Sequence, residues 1–207
     1  MFYIDVDALC KLAHWGILPD LPLLLNSSWD QMATVSSLRY RVERAIKSPD
    51  GKLFRTKEAA ISANDCIKKM AQPGCPDENL LVQLVEIPQV NPGEAVQLAL
   101  AAMDPNGIFI TGDKRALRAI GTHQLSLKFT GKVICVEQLL MCCLDLKGRD
   151  WLLSHVCPMR EIDKAVSIVL GSRCDAQPDD LKTGLESYIN EIRSFCNPPL
   201  LAKINAL

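Results

Sequence analysis

Short apolar runs alternate with longer runs of helical period as far as about residue 145. "FYIDV" (2–6) is aromatic and β-branched around one carboxylate and predicts a buried strand. "ALCKLAHWG" follows as a short helix, with Asp7 placed to cap it and Gly16 to end it. Prolines break "ILPDLPLLL", and "QMATV" is a second candidate strand. Ser36 or Ser37 then opens a helix near 38–47, "SPDGK" (48–52) is a turn, and a further helix runs near 55–71. "LLVQLVEI" (80–87) reads as a third strand. A helix at about 92–103, a strand at 108–111, a helix at about 113–120 and the strand "KVICV" (132–136) complete this part.

The alternation predicts an α/β fold with a parallel sheet covered on both faces. Sites in such sheets form at the carboxyl ends of the strands. From about residue 146 the strand pattern stops. Residues 148–170 and 179–196 read as two helices divided by "GSRCDAQPDD". The expected organisation is a domain over 1–145 with a helical C-terminal extension, 146–207, packed on it.

Composition narrows the function. Of 207 residues, 48 % are apolar, enough for a core. A net charge of −1 means that affinity for nucleic acid has to come from a local patch. Nine cysteines lie scattered without a Cys-x-x-Cys pair, as expected of reduced, mostly buried thiols in a cytoplasmic protein rather than a zinc module. The start of the chain shows no signal-peptide pattern, and nowhere do eighteen apolar residues run uninterrupted, so no membrane span is expected.

Three carboxylates stand at breaks in structure. Asp5 lies among Phe2, Tyr3, Ile4 and Val6, where an ionised group costs several kcal/mol unless it is paired, metal-bound or at the strand exit. Glu94 is third after Asn91 and Pro92, close to a capping box, yet it opens the helix "AVQLALAAM", apolar nearly all round. Asp113 follows the strand ending at Thr111 and is placed to cap "KRALRAI". Cap and ligand are both open for the last two. A parallel sheet would bring all three together, and hard cations such as Mg²⁺ or Mn²⁺ take oxygen ligands of this kind.

In this order, "FYIDVDALCKLAHWGIL", "VNPGEAVQLALAA" and "IFITGDKRALRAI" resemble the PIN domain (PilT N-terminus) family. The likeness is nearest to a bacterial branch with a "GEA…ALA" helix, and it spans roughly residues 1–140. It implies a three-layer α/β/α sandwich and a Mg²⁺- or Mn²⁺-dependent endoribonuclease, including the toxins of toxin–antitoxin pairs, with an antitoxin as partner. On that resemblance Asp5, Glu94 and Asp113 are the catalytic metal ligands, supported by Asp7 and Thr111. The family's second acid is expected in "SSLRYRVERAI", where Glu43 is the one carboxylate, and Arg41 stands nearer the expected place. With Arg41 there, the site is one ligand short, and a catalytically degenerate RNA- or protein-binding scaffold is the alternative.

Between Arg39 and Lys57 seven basic residues face only Glu43 and Asp50, and Tyr40 lies among them. This is either a phosphate-binding face or a solvated one. Lys114 and Arg115, beside Asp113, are candidates for holding a scissile phosphate. RNA is the expected substrate, with DNA still open. "LLMCCL" (139–144) is either core or a dimer face. "IDVDAL" also looks like the start of the haloacid dehalogenase phosphatases, with Asp5 as nucleophile and Asp7 as acid/base, but Leu9 stands where Thr or Val belongs.

Overall fold

The computed structural model describes residues 1–48 and 53–204. Strand β1 covers Phe2–Ile4 and gives way at once to helix α1, Val6–His14. Asp5 is the joint. Its backbone N–H still donates to Ile110 O in the sheet at 2.8 Å, while its side chain accepts from Val6 N and Asp7 N. The cap of α1 is therefore Asp5 and not Asp7, because the strand stops at Ile4; Asp7 stands in the first helical turn. The helix ends at Trp15, and Gly16 turns the chain away at φ +67°.

The proline-broken stretch forms a 3-10 turn, Leu18–Asp20, and the one-turn helix α2, Leu21–Leu24. Strand β2 is only Met32–Ala33. Helix α3, Leu38–Lys47, starts after Ser37, whose side chain makes no capping hydrogen bond. The expected turn at 48–52 falls mainly on residues 49–52, outside the described residues. Helix α4, Lys57–Ile67, is capped by Thr56 through Ala59 N and stops short of residue 71.

Residues 80–87 do not form a strand. Helix α5 spans Glu78–Val85, capped by Asp77 through Leu80 N at 2.7 Å. Its buried side chains, Leu80 and Leu84, and Ile87 just beyond, follow a helical period, while Val82 and Val85 face solvent. The exposed valines add apolar positions to the run and hide that period. Helix α6 (Pro92–Met103), strand β3 (Ile108–Thr111), helix α7 (Lys114–Gly121) and strand β4 (Val133–Cys135) fall where the pattern placed them.

Helix α8, Val136–Lys147, buries Leu139, Leu140, Cys142 and Cys143, so "LLMCCL" is core. The segment 148–170 is not one helix. Gly148 separates α8 from α9, Arg149–Val156; a 3-10 stretch with Pro158 follows; and Asp163 caps α10, Lys164–Leu170, through Val166 N. Helix α11 runs Pro178–Phe195. Cys157 and Cys174 are joined by a disulfide, their Cα atoms 6.1 Å apart, so the expectation of nine reduced thiols fails at this pair. Among the described residues no helix is long and apolar enough to cross a membrane.

Among the described residues the four strands are all parallel, in the order β2-β1-β3-β4. Phe2 pairs with Met32 on one side and Ile108 on the other, and Phe109 pairs with Val133. Strand side chains alternate between faces. Ile4, Ile110 and Ile134 enter one core with α1, α4 and α8. Tyr3, Phe109 and Val133 enter another with α5, α6 and α7. With both faces buried, the molecule is an α/β protein. After α11 the chain returns to the sheet. Val133 N donates to Leu200 O at 3.0 Å and Ala202 N to Val133 O at 2.7 Å, which covers the outer edge of β4.

Candidate active site

The chain leaves β1 for β2 on one side and comes back to β3 on the other, so β1 and β3 flank the point where the order reverses. That is where ligands bind in open parallel sheets. A cleft of about 510 Å³ opens there, and Asp5, Asp7, Glu94 and Asp113 all line it. Each carboxylate arrives on a different device. Asp5 leaves the end of β1, Asp7 rises from the first turn of α1, Glu94 starts α6, and Asp113 follows β3.

Hydrogen bonds fix these positions. Thr111, fully buried, donates its hydroxyl to Asp5 Oδ2 at 3.3 Å and accepts from Asp113 N at 3.0 Å. It therefore couples the two aspartates across β1 and β3. Gln97, one turn after Glu94 on α6, donates to Ile4 O at 2.8 Å and to Thr34 Oγ1 at 3.3 Å. Thr34 donates to the same carbonyl at 2.8 Å. The carboxyl end of β1 is thus tied to α6 and to the exit of β2. Gln97 was not singled out in the sequence; its signal is a lone amide in an otherwise apolar helix.

Cap and site turn out to be compatible uses. Glu94 completes a capping box: Asn91 accepts from Glu94 N at 3.0 Å, and Glu94 Oε2 accepts from Asn91 N at 2.8 Å. Yet Glu94 is 1 % exposed. Burial pushes its carboxyl up to about 7; the Asn91 N–H works against this, and the nearby Asp5, Asp113 and Asp7 add to it. Asp5, 4 % exposed, is pushed up to about 6 by burial first and then by Asp7, against the pull of its Val6, Asp7 and Thr111 hydrogen bonds. Among the described residues no ion pair reaches either group. Asp113 differs. Burial would raise it, but the Arg115 side chain at 3.0 Å and the N–H groups of Arg115 and Ala116 hold it below the ordinary range.

The cations sort equally clearly. Lys11, also missed in the sequence, is buried between Asp7 Oδ2 at 2.7 Å and Asp163 Oδ2 at 2.8 Å. Gly112 leaves it room: a methyl group there would meet Asp7 Oδ2 at 2.6 Å and Lys11 Nζ at 2.8 Å. Lys114 is drawn to the buried Glu137 at 2.6 Å and lies over the Tyr188 ring. Arg41 and Arg55 line the cleft from the β2 side. Arg55 reaches Glu161 only at 3.7 Å, and among the described residues Arg41 makes no ion pair. Glu43 is exposed and does not line the cleft, so it is not in place as a fourth metal ligand. Two residues apart on α3, it points roughly 200° away from Arg41. Tyr40 is exposed and lies outside the cleft lining. His14 is structural, because its Nε2 accepts from Arg55 N at 2.9 Å and its Nδ1 therefore donates to Cys10 O at 2.7 Å.

Among the described residues no three His, Cys, Asp or Glu side chains are grouped tightly enough to make a ligand cage. A Mg²⁺ or Mn²⁺ ion needs less, since it is commonly held by one or two carboxylates and keeps several waters. The donor set fits that mode: Asp5 and Glu94 bring buried carboxylates that no ion pair reaches among the described residues, Arg115 acting on Glu94 only from a distance. Fold and site together define an α/β protein with an acid-floored cleft at the switch point of a parallel sheet. Comparison of the chain with protein-family models, curated proteins and solved structures gives no match.

Proposed function

We infer that the chain is a metal-dependent nuclease of PIN type that hydrolyses phosphodiesters in RNA. One observation carries this reading. Asp5, Glu94 and Asp113, the acids that the resemblance assigns to catalysis, come from three separate elements and line one cleft. Asp5 and Glu94 would hold a Mg²⁺ or Mn²⁺ ion. Bound there, the ion would supply an activated water and charge stabilisation at the phosphate. The chain's own groups do the rest. Thr111 fixes the orientation of Asp5, Asp113 stays ionised through Arg115, and Arg41 and Arg55 offer guanidinium donors to substrate phosphates from the β2 side.

Arg41 also favours a second reading, a PIN-like scaffold that binds RNA without cutting it, because a cation lines the cleft where an acid was expected. Purified protein incubated with RNA in Mn²⁺ separates the two. Cleavage that is abolished by EDTA, and in both Asp5→Asn and Glu94→Gln, is the expected result. Uncut RNA across a panel, with no Mn²⁺ binding by calorimetry, would leave only the scaffold.

A further inference from the structure

The acid cleft has a neighbour. A second opening of about 280 Å³ shares Asp7, Lys11 and Asp113 with it and continues past Gly112 to Asp163 and Lys164. The two openings therefore meet at the carboxylates. One leads toward Arg41 and Arg55, on the β2 side, and the other leads onto α10 of the C-terminal extension.

The extension is locked into this place. Asp163 is buried, caps α10 and ion-pairs with the buried Lys11, which also holds Asp7. Ile162, just before it, lines the main cleft, and Lys164, just after it, lines the second opening. Lys164 is exposed, and among the described residues no ion pair reaches it. The other cations of the second opening are engaged, Lys11 with two aspartates, Lys114 with Glu137 and Arg115 with Asp113. A site for one phosphate would need cations at one end. Here a free cation stands at each end, with the acids between them.

The geometry points to a C-terminal extension that forms the second bank of the site: Asp163 holds it on Lys11, and Lys164 binds phosphate of a substrate chain that crosses the carboxylates from the Arg41 side. This rests on the nuclease reading for the identity of the chain as RNA, but it concerns binding alone. Lys164 is then a substrate-binding residue, and Asp163 and Lys11 are positioning residues.

The test is fluorescence anisotropy in EDTA, with no metal and no cleavage, using a labelled oligouridylate long enough to reach across both openings. Arg41→Ala and Lys164→Ala, both at exposed positions, are each expected to weaken binding roughly 2- to 5-fold, the effect of one surface charge. Each should also lower the slope of log affinity against log salt by about 0.7. Asp163→Asn should weaken the oligonucleotide as Lys164→Ala does, and adding Lys164→Ala to it should bring little more. Uridine monophosphate, too short to cross, should not respond to Lys164→Ala. Two results would overturn the proposal: no measurable oligonucleotide binding by the wild type, or wild-type affinity and salt slope in Lys164→Ala. Binding that depends on Lys164 with no Mn²⁺-dependent cleavage would sustain the second bank and remove the nuclease reading.

Discussion

At the residue scale, the cleft floor stores electrostatic cost. Burial moves Asp5 from an ordinary 3.8 to about 6 and Glu94 from 4.5 to about 7. A carboxyl whose folded pKa is raised favours folding when it is protonated. Its contribution is full below the unfolded value and is lost as pH rises through the folded one. The metal-free protein should therefore lose stability between about pH 4 and pH 7, by roughly 3 kcal/mol per group at the upper end. Asp5→Asn and Glu94→Gln should each unfold later than the wild type in urea at pH 8, and Mn²⁺ should shrink that gap. If both variants are less stable than the wild type at pH 8, the carboxylates are not paying a burial cost. Arg41 adds to the picture at the same scale. On the nuclease reading, Arg41→Glu would supply the acid that reading expects there, and Mn²⁺ affinity by calorimetry should rise roughly tenfold, an electrostatic change of about 1.4 kcal/mol. An unchanged affinity would mean that position 41 does not address the ion. These residues also mark what the sequence disclosed. Asp5, Glu94 and Asp113 were legible because each stands at a break between an apolar strand or helix and a turn. Lys11 and Asp163 were not, since their pairing spans elements far apart in sequence and each alone reads as an ordinary surface charge.

Among the elements, α1 and α10 are coupled by one ion triad. Lys11 on α1 faces Asp7 on its own helix and Asp163 at the start of α10. Removing the charge that pairs a buried group costs about 3–5 kcal/mol, because here Asp163 stays buried and unpaired while the more exposed Asp7 turns to solvent. Lys11→Met should lose about that much by urea denaturation, and Lys11→Arg should recover only part of it, since the room that Gly112 leaves is already filled by the ammonium and a guanidinium is larger. A loss near zero would mean that solvent reaches the triad. The elements themselves followed the hydrophobic period well wherever one face was clear. Helix α6 and strand β3 lie where the pattern placed them. Segment 80–87 misled because Val82 and Val85, exposed on α5, fill the gaps of a helical pattern and make it resemble a buried strand. The long segment 148–170 misled because Pro158 and the 3-10 stretch Cys157–Ile162 interrupt it, and Asp163 then caps a new helix.

For the whole molecule, the sheet has its first strand near the middle and its last cover at the edge. Strand β1 pairs with β2 and with β3, while residues 200–202 lie along β4. Leu200 is fully buried, and Leu200→Ala should cost about 2–5 kcal/mol. The same variant should also associate more readily at high concentration by light scattering, because an uncovered strand edge offers unpaired backbone groups to another chain. A monodisperse variant of wild-type stability would show that the edge needs no cover. This arrangement also sets a calendar for synthesis. Domains fold from the N-terminal side as they leave the ribosome, and distant pairings wait for the chain that closes them. Residues 2–4 must wait for residues 108–111, and β4 must wait for residues 200–202, so a nascent chain carries an open, parallel, apolar edge until residues 200–202 have emerged. A ribosome stalled within α11 would hold out a sheet that is already assembled and still adhesive.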